Sequence, residues 1–155
     1  MHPKKMKSEV LEEISGAIQK LSMNDEFHLL GDNDTENLYK DLLNTFVIGG
    51  DRRWWWESFS KPSISVKFDN DKAFLEISAI VPDQNETVWF IVEDDQVPFY
   101  PIFEATPENI VNVIGECFAF EYYIIPKSKQ WLLCEDHHNC LHGVGAQVID
   151  KMKKY

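Results

Sequence analysis

The densest gathering of ligand-capable and nucleophilic side chains in the sequence is Cys134-Glu135-Asp136-His137-His138-Asn139-Cys140-Leu141-His142. Thiolate and imidazole are the donors zinc prefers, so Cys134, His137, His138, Cys140 and His142 form a candidate metal set. Their spacing, C-x2-H-H-x-C-x-H, matches neither a zinc finger nor H-E-x-x-H. Structural zinc usually draws paired ligands from separate segments, whereas all five donors here share one short stretch. The same residues could pair a thiol nucleophile, Cys134 or Cys140, with a histidine base, His137 or His138. The competing reading is a strand end and a turn. Trp131, Leu133 and Glu135 would then share one face, Leu132 and Cys134 the other, and His-His-Asn would turn the chain back. Glu135 and Asp136, being adjacent, would face opposite ways and make no paired-carboxylate acid/base site.

Arg52-Arg53-Trp54-Trp55-Trp56-Glu57 is the second unusual segment. On a strand, Trp54 and Trp56 would share a face and Trp55 would take the other. Tryptophan and arginine are enriched in binding hot spots, so Trp54, Trp55 and Trp56 are candidate partner-binding residues unless helices cover both faces. Acids collect at the expected hairpin ends, among them Glu93, Asp94 and Asp95, which join the tryptophans as a candidate protein-binding surface. Aspartate is also a common turn former, and that alone would account for part of the pattern. Asp32-Asn33-Asp34-Thr35-Glu36 lacks the rest of a calcium loop. Gly143-Val144-Gly145-Ala146 lacks the spacing of a phosphate-binding loop.

These segments must be held by a fold of modest size. The 155 residues are 44% hydrophobic and 13% aromatic, enough for one packed domain spanning 1–155. Residues 6–21 and 35–46 carry helical apolar spacing, with Asp34 placed to cap the second and Gly49-Gly50 to end it. From there the period is two. Strands are expected over 53–59, 63–68, 73–81, 87–93, 98–104, 119–125 and 130–135, separated by turn residues. Val88-Trp89-Phe90-Ile91-Val92 is nearly all apolar and belongs in the middle of the sheet, covered on both faces. Thr106-Pro107-Glu108 starts a helix near 107–117. The stretch 143–155 allows a short helix that Gly143 and Gly145 weaken at its start. The expectation is an α+β fold: N-terminal helices on a largely antiparallel sheet of six or seven strands, with one inserted helix.

Charge narrows the partners. The formal net charge is −11, with a pI near 4.8. Residues 21–150 alone hold eight basic and 23 acidic side chains, a net of −15. Such a field repels nucleic acid and anionic membranes and steers basic proteins inward. No apolar run approaches the roughly 20 residues that span a bilayer. The basic start leads into no apolar segment of a signal peptide, and three cysteines at irregular spacing suit a reducing cytoplasm.

The stretch from Trp54 to Gly145 resembles an uncharacterised family of small bacterial proteins. The resemblance rests on Val88-Trp89-Phe90-Ile91 with Glu93, Phe120-Glu121-Tyr122-Tyr123, Trp131-Leu132-Leu133-Cys134-Glu135 with His137-His138, and Gly143-Val144-Gly145. In general form the chain is also similar to immunity proteins of polymorphic bacterial toxins, including the SUKH superfamily, although it lacks the SUKH glycine-and-proline signature near the N-terminal helices. That likeness implies a non-enzymatic protein-binding module that inhibits a basic toxin domain and needs no cofactor. The alternatives are a zinc-binding protein or hydrolase built on the Cys134–His142 cluster, and a structural homodimer in place of a monomer.

Overall fold

The computed structural model describes residues 8–50 and 55–155. Five helices and seven strands follow one another along these residues: α1 (Glu9–Lys20), β1 (His28–Leu29), α2 (Asp32–Phe46), β2 (Ser63–Lys67), α3 (Ile77–Ile80), β3 (Val88–Val92), β4 (Ile102–Ala105), α4 (Pro107–Ile114), β5 (Tyr122–Pro126), β6 (Leu132–Glu135), β7 (Cys140–Val144) and α5 (Ala146–Met152). The strands form one sheet in the order β1-β4-β3-β5-β6-β7-β2, and every pairing is antiparallel. The α+β architecture expected from the sequence is present.

The sheet is sandwiched. On one face, Val88, Phe90, Val92, Tyr122, Ile124, Leu133 and Leu141 pack with Ile14 and Ile18 of α1, Ile77 and Ile80 of α3, Ile110 and Val113 of α4, and Val148 and Met152 of α5. On the other, Ile91, Tyr123, Ile125, Leu132 and Cys134 meet Tyr39, Leu42 and Phe46 of α2, together with Trp55. Strand residues alternate between the two cores because successive side chains leave a strand on opposite sides. Each large apolar side chain taken fully from water contributes about 1.5–3 kcal/mol against chain entropy. β3 lies between β4 and β5 and is covered on both faces, as its apolar run requires.

Local chemistry sets the helix starts. The Ser8 hydroxyl accepts the Leu11 N–H at 3.1 Å, and the Thr106 hydroxyl accepts the Asn109 N–H at 3.3 Å ahead of Pro107. Asp34 does not cap α2. That helix begins earlier, after Gly31, which lends no side-chain bond.

Two expected strands are helical instead. Over 73–81 the chain forms a 3-10 turn at Ala73–Glu76 and then α3. Ala73, Ile77 and Ile80 are the buried positions, and steps of four and three put them on one helical face toward the core. In 53–59, residues 53 and 54 lie outside the described set, and Trp55–Glu57 is a 3-10 turn. It closes with the Ser58 N–H on the Trp55 carbonyl at 3.0 Å and lets Trp55 drop into an aromatic nest. β1 and β7 were not expected; both are antiparallel partners, of β4 and of β6 and β2 respectively. No helix among the described residues is long and apolar enough to cross a membrane.

Candidate functional site at the open end of β5 and β6

β5 begins at Tyr122 and β6 ends at Glu135, and the register pairs these two residues. The alternation of the sheet therefore sends Tyr122 and Glu135 to the α4 face and their neighbours Glu121 and Asp136 to the Trp55 face. Each face has its own group of polar side chains at this end.

On the Trp55 face, the Glu121 Oε1 carboxylate oxygen accepts the His137 N–H at 3.0 Å and also pairs with His137 Nδ1. Its other oxygen, Oε2, is buried with no hydrogen-bond partner. Asp136 Oδ2 lies 2.7 Å from His142 Nε2. Asp136 Oδ1 accepts the N–H groups of His138 at 2.7 Å and Cys140 at 3.1 Å. Burial pushes the Asp136 carboxyl up, but its bonds from His142, His138 and Cys140 outweigh this and hold it below the usual range. The Glu121 carboxylate, by hydrogen bond, raises His137. Half-buried Glu93 joins the group through its N–H on the Glu121 carbonyl at 3.0 Å. Burial and then the nearby charges of Glu121, Asp95 and Asp94 push its carboxyl up.

Trp56 roofs the three histidines. Its ring is stacked on His142 at 5.4 Å and edge-on to His137 at 5.9 Å and His138 at 6.1 Å. Trp55 is different. It is fully buried against Tyr123 at 4.5 Å, Tyr39 at 5.7 Å and Tyr100 at 5.8 Å. It is thus a core residue, and Trp54 lies outside the described residues. Of the candidate acids, Asp95 is exposed and Glu93 half-buried. Asp94 is buried, where it accepts the Ser8 hydroxyl and the Gln96 N–H.

The five candidate metal ligands do not converge. His137 and His138 are close, with ring centroids 3.9 Å apart. His142 is taken up by Asp136 and Trp56. Cys134 is fully buried in the core beneath the Trp55 nest. The Cys140 thiol sits 3.8 Å from the His138 carbonyl. Among the described residues, no group of three or more His, Cys, Asp or Glu is arranged to hold a metal ion. None of the three thiols is held below its ordinary value. Burial, with carboxylates nearby, raises Cys134 well above its ordinary value, raises Cys140, and pushes Cys117 up to about 11.

On the α4 face, the Tyr122 hydroxyl donates to Glu135 Oε1 at 2.6 Å. The pair lies in a cavity of about 240 Å³ walled by Phe74, Ile114, Phe118 and Phe120. Burial raises the Glu135 carboxyl, the Tyr122 bond opposes this, and Asp136 and Asp71 raise it further. Sequence reasoning did not single out Glu121, Tyr122 or Phe118 for a site. The available signal was Glu121 itself, a charged residue inside the apolar run Phe120-Glu121-Tyr122-Tyr123-Ile124.

A sheet with this arrangement at its end can be placed among known sequences. The family of unknown function DUF6756 matches residues 6–155. The chain belongs to this family. DUF6756 therefore covers both faces of the site and nearly all of the fold. No curated protein and no solved structure matches the chain.

Proposed function

We propose that this DUF6756 chain is a non-enzymatic binding module for a basic protein, acting as an immunity-type inhibitor acts on a basic toxin. The observation that supports this most directly is the convergence of carboxylates at one end of the sheet. Asp95, Glu93, Glu121, Asp136, Glu135 and Asp71 form a continuous electrostatic neighbourhood, each coupled to the next across β5 and β6 or through His137. Several lysines of the described residues pair with acids elsewhere: Lys20 with Glu116, Lys127 with Glu104 and Lys129 with Asp41. Exposed Asp95 and half-buried Glu93 present acidic charge at the surface over the buried carboxylates, and such charge speeds encounter with a cationic surface and disfavours anionic ones. Occlusion would be the mechanism: the acidic end covers the cationic cleft that a basic enzyme needs for its own substrate. The cytoplasm, the compartment expected from the cysteines, is the place proposed for this encounter.

Calorimetric titration of the purified chain with the basic product of the adjacent reading frame tests the reading. Binding should weaken steeply with added salt, and the E93Q/D95N double variant should weaken it further, chiefly through slower association. Absence of binding at low salt, or binding indifferent to both salt and the double variant, overturns it.

A further inference from the structure

The cavity on the α4 face combines an apolar wall with a single buried charge. Glu135 is 8% exposed, and Tyr122 only 1%. The Tyr122 hydroxyl bonds one carboxylate oxygen of Glu135, Oε1. Phe118 stands at the mouth, 86% exposed, with its backbone N–H tied to the Glu13 carboxylate of α1. A lone exposed phenyl ring is ordinary on a protein surface. Here it extends an aromatic wall that continues inward through Phe74 and Phe120. Lys72 and Asp71 both line the rim, and Lys72 makes no ion pair among the described residues, so the Glu135 charge is not met from within. The half-buried Cys117 thiol also lines the cavity and stays neutral, since burial holds it near 11.

We propose that this cavity receives an arginine side chain of the protein partner. The inference rests on the reading of the chain as a binder of basic proteins and names the contact that anchors it. The volume of about 240 Å³ falls below the roughly 300–1,000 Å³ of pockets for drug-sized ligands and suits one long side chain. A half-apolar, carboxylate-floored slot selects a cation that tolerates desolvation. Guanidinium is planar and weakly hydrated; it stacks on aromatic faces while donating to a carboxylate, which an ammonium does less well. Tyr122 holds the carboxylate in place, so the incoming cation finds a fixed acceptor and not a flexible surface acid.

The test is a titration of isotope-labelled protein with N-acetyl-arginine amide, followed by amide chemical shifts, with N-acetyl-citrulline amide as the uncharged isostere. Shifts should be confined to the amides of Phe118, Ala119, Tyr122 and Glu135 and their contacts, and the citrulline compound should leave them unmoved. E135Q keeps an acceptor for Tyr122 but removes the charge. It should weaken arginine binding by about tenfold or more, the scale of a lost charge-assisted hydrogen bond. F118A removes only an exposed ring and should weaken binding several-fold; it carries the test if E135Q does not fold. Equal response to citrulline, shifts located elsewhere, or unchanged binding in F118A and folded E135Q overturns the proposal. If the basic partner still binds a chain whose cavity ignores arginine, the cavity inference falls and the binding-module reading stands. Arginine uptake without any basic partner has the reverse meaning.

Discussion

Asp136 and His142 close the β6–β7 turn with one carboxylate: Oδ2 lies 2.7 Å from His142 Nε2 while Oδ1 accepts the His138 and Cys140 N–H groups. Both side chains are buried, Asp136 at 4% and His142 at 8% exposure. Asp136→Ala should therefore cost about 1–3 kcal/mol, the usual loss when buried hydrogen-bonding groups are left without their partner. Asp136→Asn keeps an Oδ1 acceptor and should cost less. Urea unfolding of the three proteins gives the comparison, and a loss under about 1 kcal/mol for the alanine variant would contradict the assignment. Because the folded Asp136 carboxyl sits below its ordinary value, its contribution is present above about pH 4 and disappears as pH falls through the folded value.

His137 predicts the opposite slope. Its hydrogen bond with Glu121 raises the imidazole above its ordinary value. The charged pair is complete below about pH 6.5 and is lost as pH rises through the folded value. The His137 side chain is 50% exposed, so solvent screening limits the contribution to less than about 1 kcal/mol. Denaturant midpoints measured from mildly acidic to mildly alkaline pH should fall with rising pH, and His137→Gln should flatten that fall. An unchanged slope in the variant would assign the pH dependence to another group.

Two glycines should respond to alanine in opposite directions. Gly145, between β7 and α5, has φ of +98°, and a Cβ there would lie 2.4 Å from the Gln130 carbonyl oxygen and 3.0 Å from Trp131 Cα. Gly145→Ala should cost at least about 1–3 kcal/mol for the backbone conformation alone. Gly16 lies within α1, and nothing stands within 4 Å of a Cβ placed on it. Gly16→Ala should stabilise by about 0.4–1 kcal/mol. Thermal unfolding distinguishes the two, and stabilisation by Gly145→Ala would contradict the turn geometry.

Elements with a local cause were readable in the sequence. The Thr106-Pro107 start of α4 and the all-apolar β3 depend on neighbouring residues alone, and both are where their chemistry puts them. Where tertiary packing chose the conformation, the sequence pattern misled. Ala73, Ile77 and Ile80 sit in a run rich enough in apolar residues to resemble a strand, yet their helical spacing is what the core uses. β7 was hidden by Gly143, which weakens strand propensity. Its lack of a side chain is required because Met152 Sδ and Val148 Cγ2 would stand 2.4 and 3.2 Å from a Cβ. The turn at His137–Asn139 and the opposite facing of Glu135 and Asp136 followed from strand periodicity. The cavity behind Glu135 did not, because Phe74 and Phe118 reach it from distant segments.

Among the described residues, the outer strand β2 has β7 as its one strand neighbour, joining residues 63–67 to 140–144. On a ribosome that adds ~5–20 residues each second, Ile64 and Val66 would emerge on the order of ten seconds before the segment that covers them. During that interval the nascent chain presents an unpaired strand with two apolar side chains on one face, and chaperone occupancy should peak there and end when β7 clears the exit tunnel.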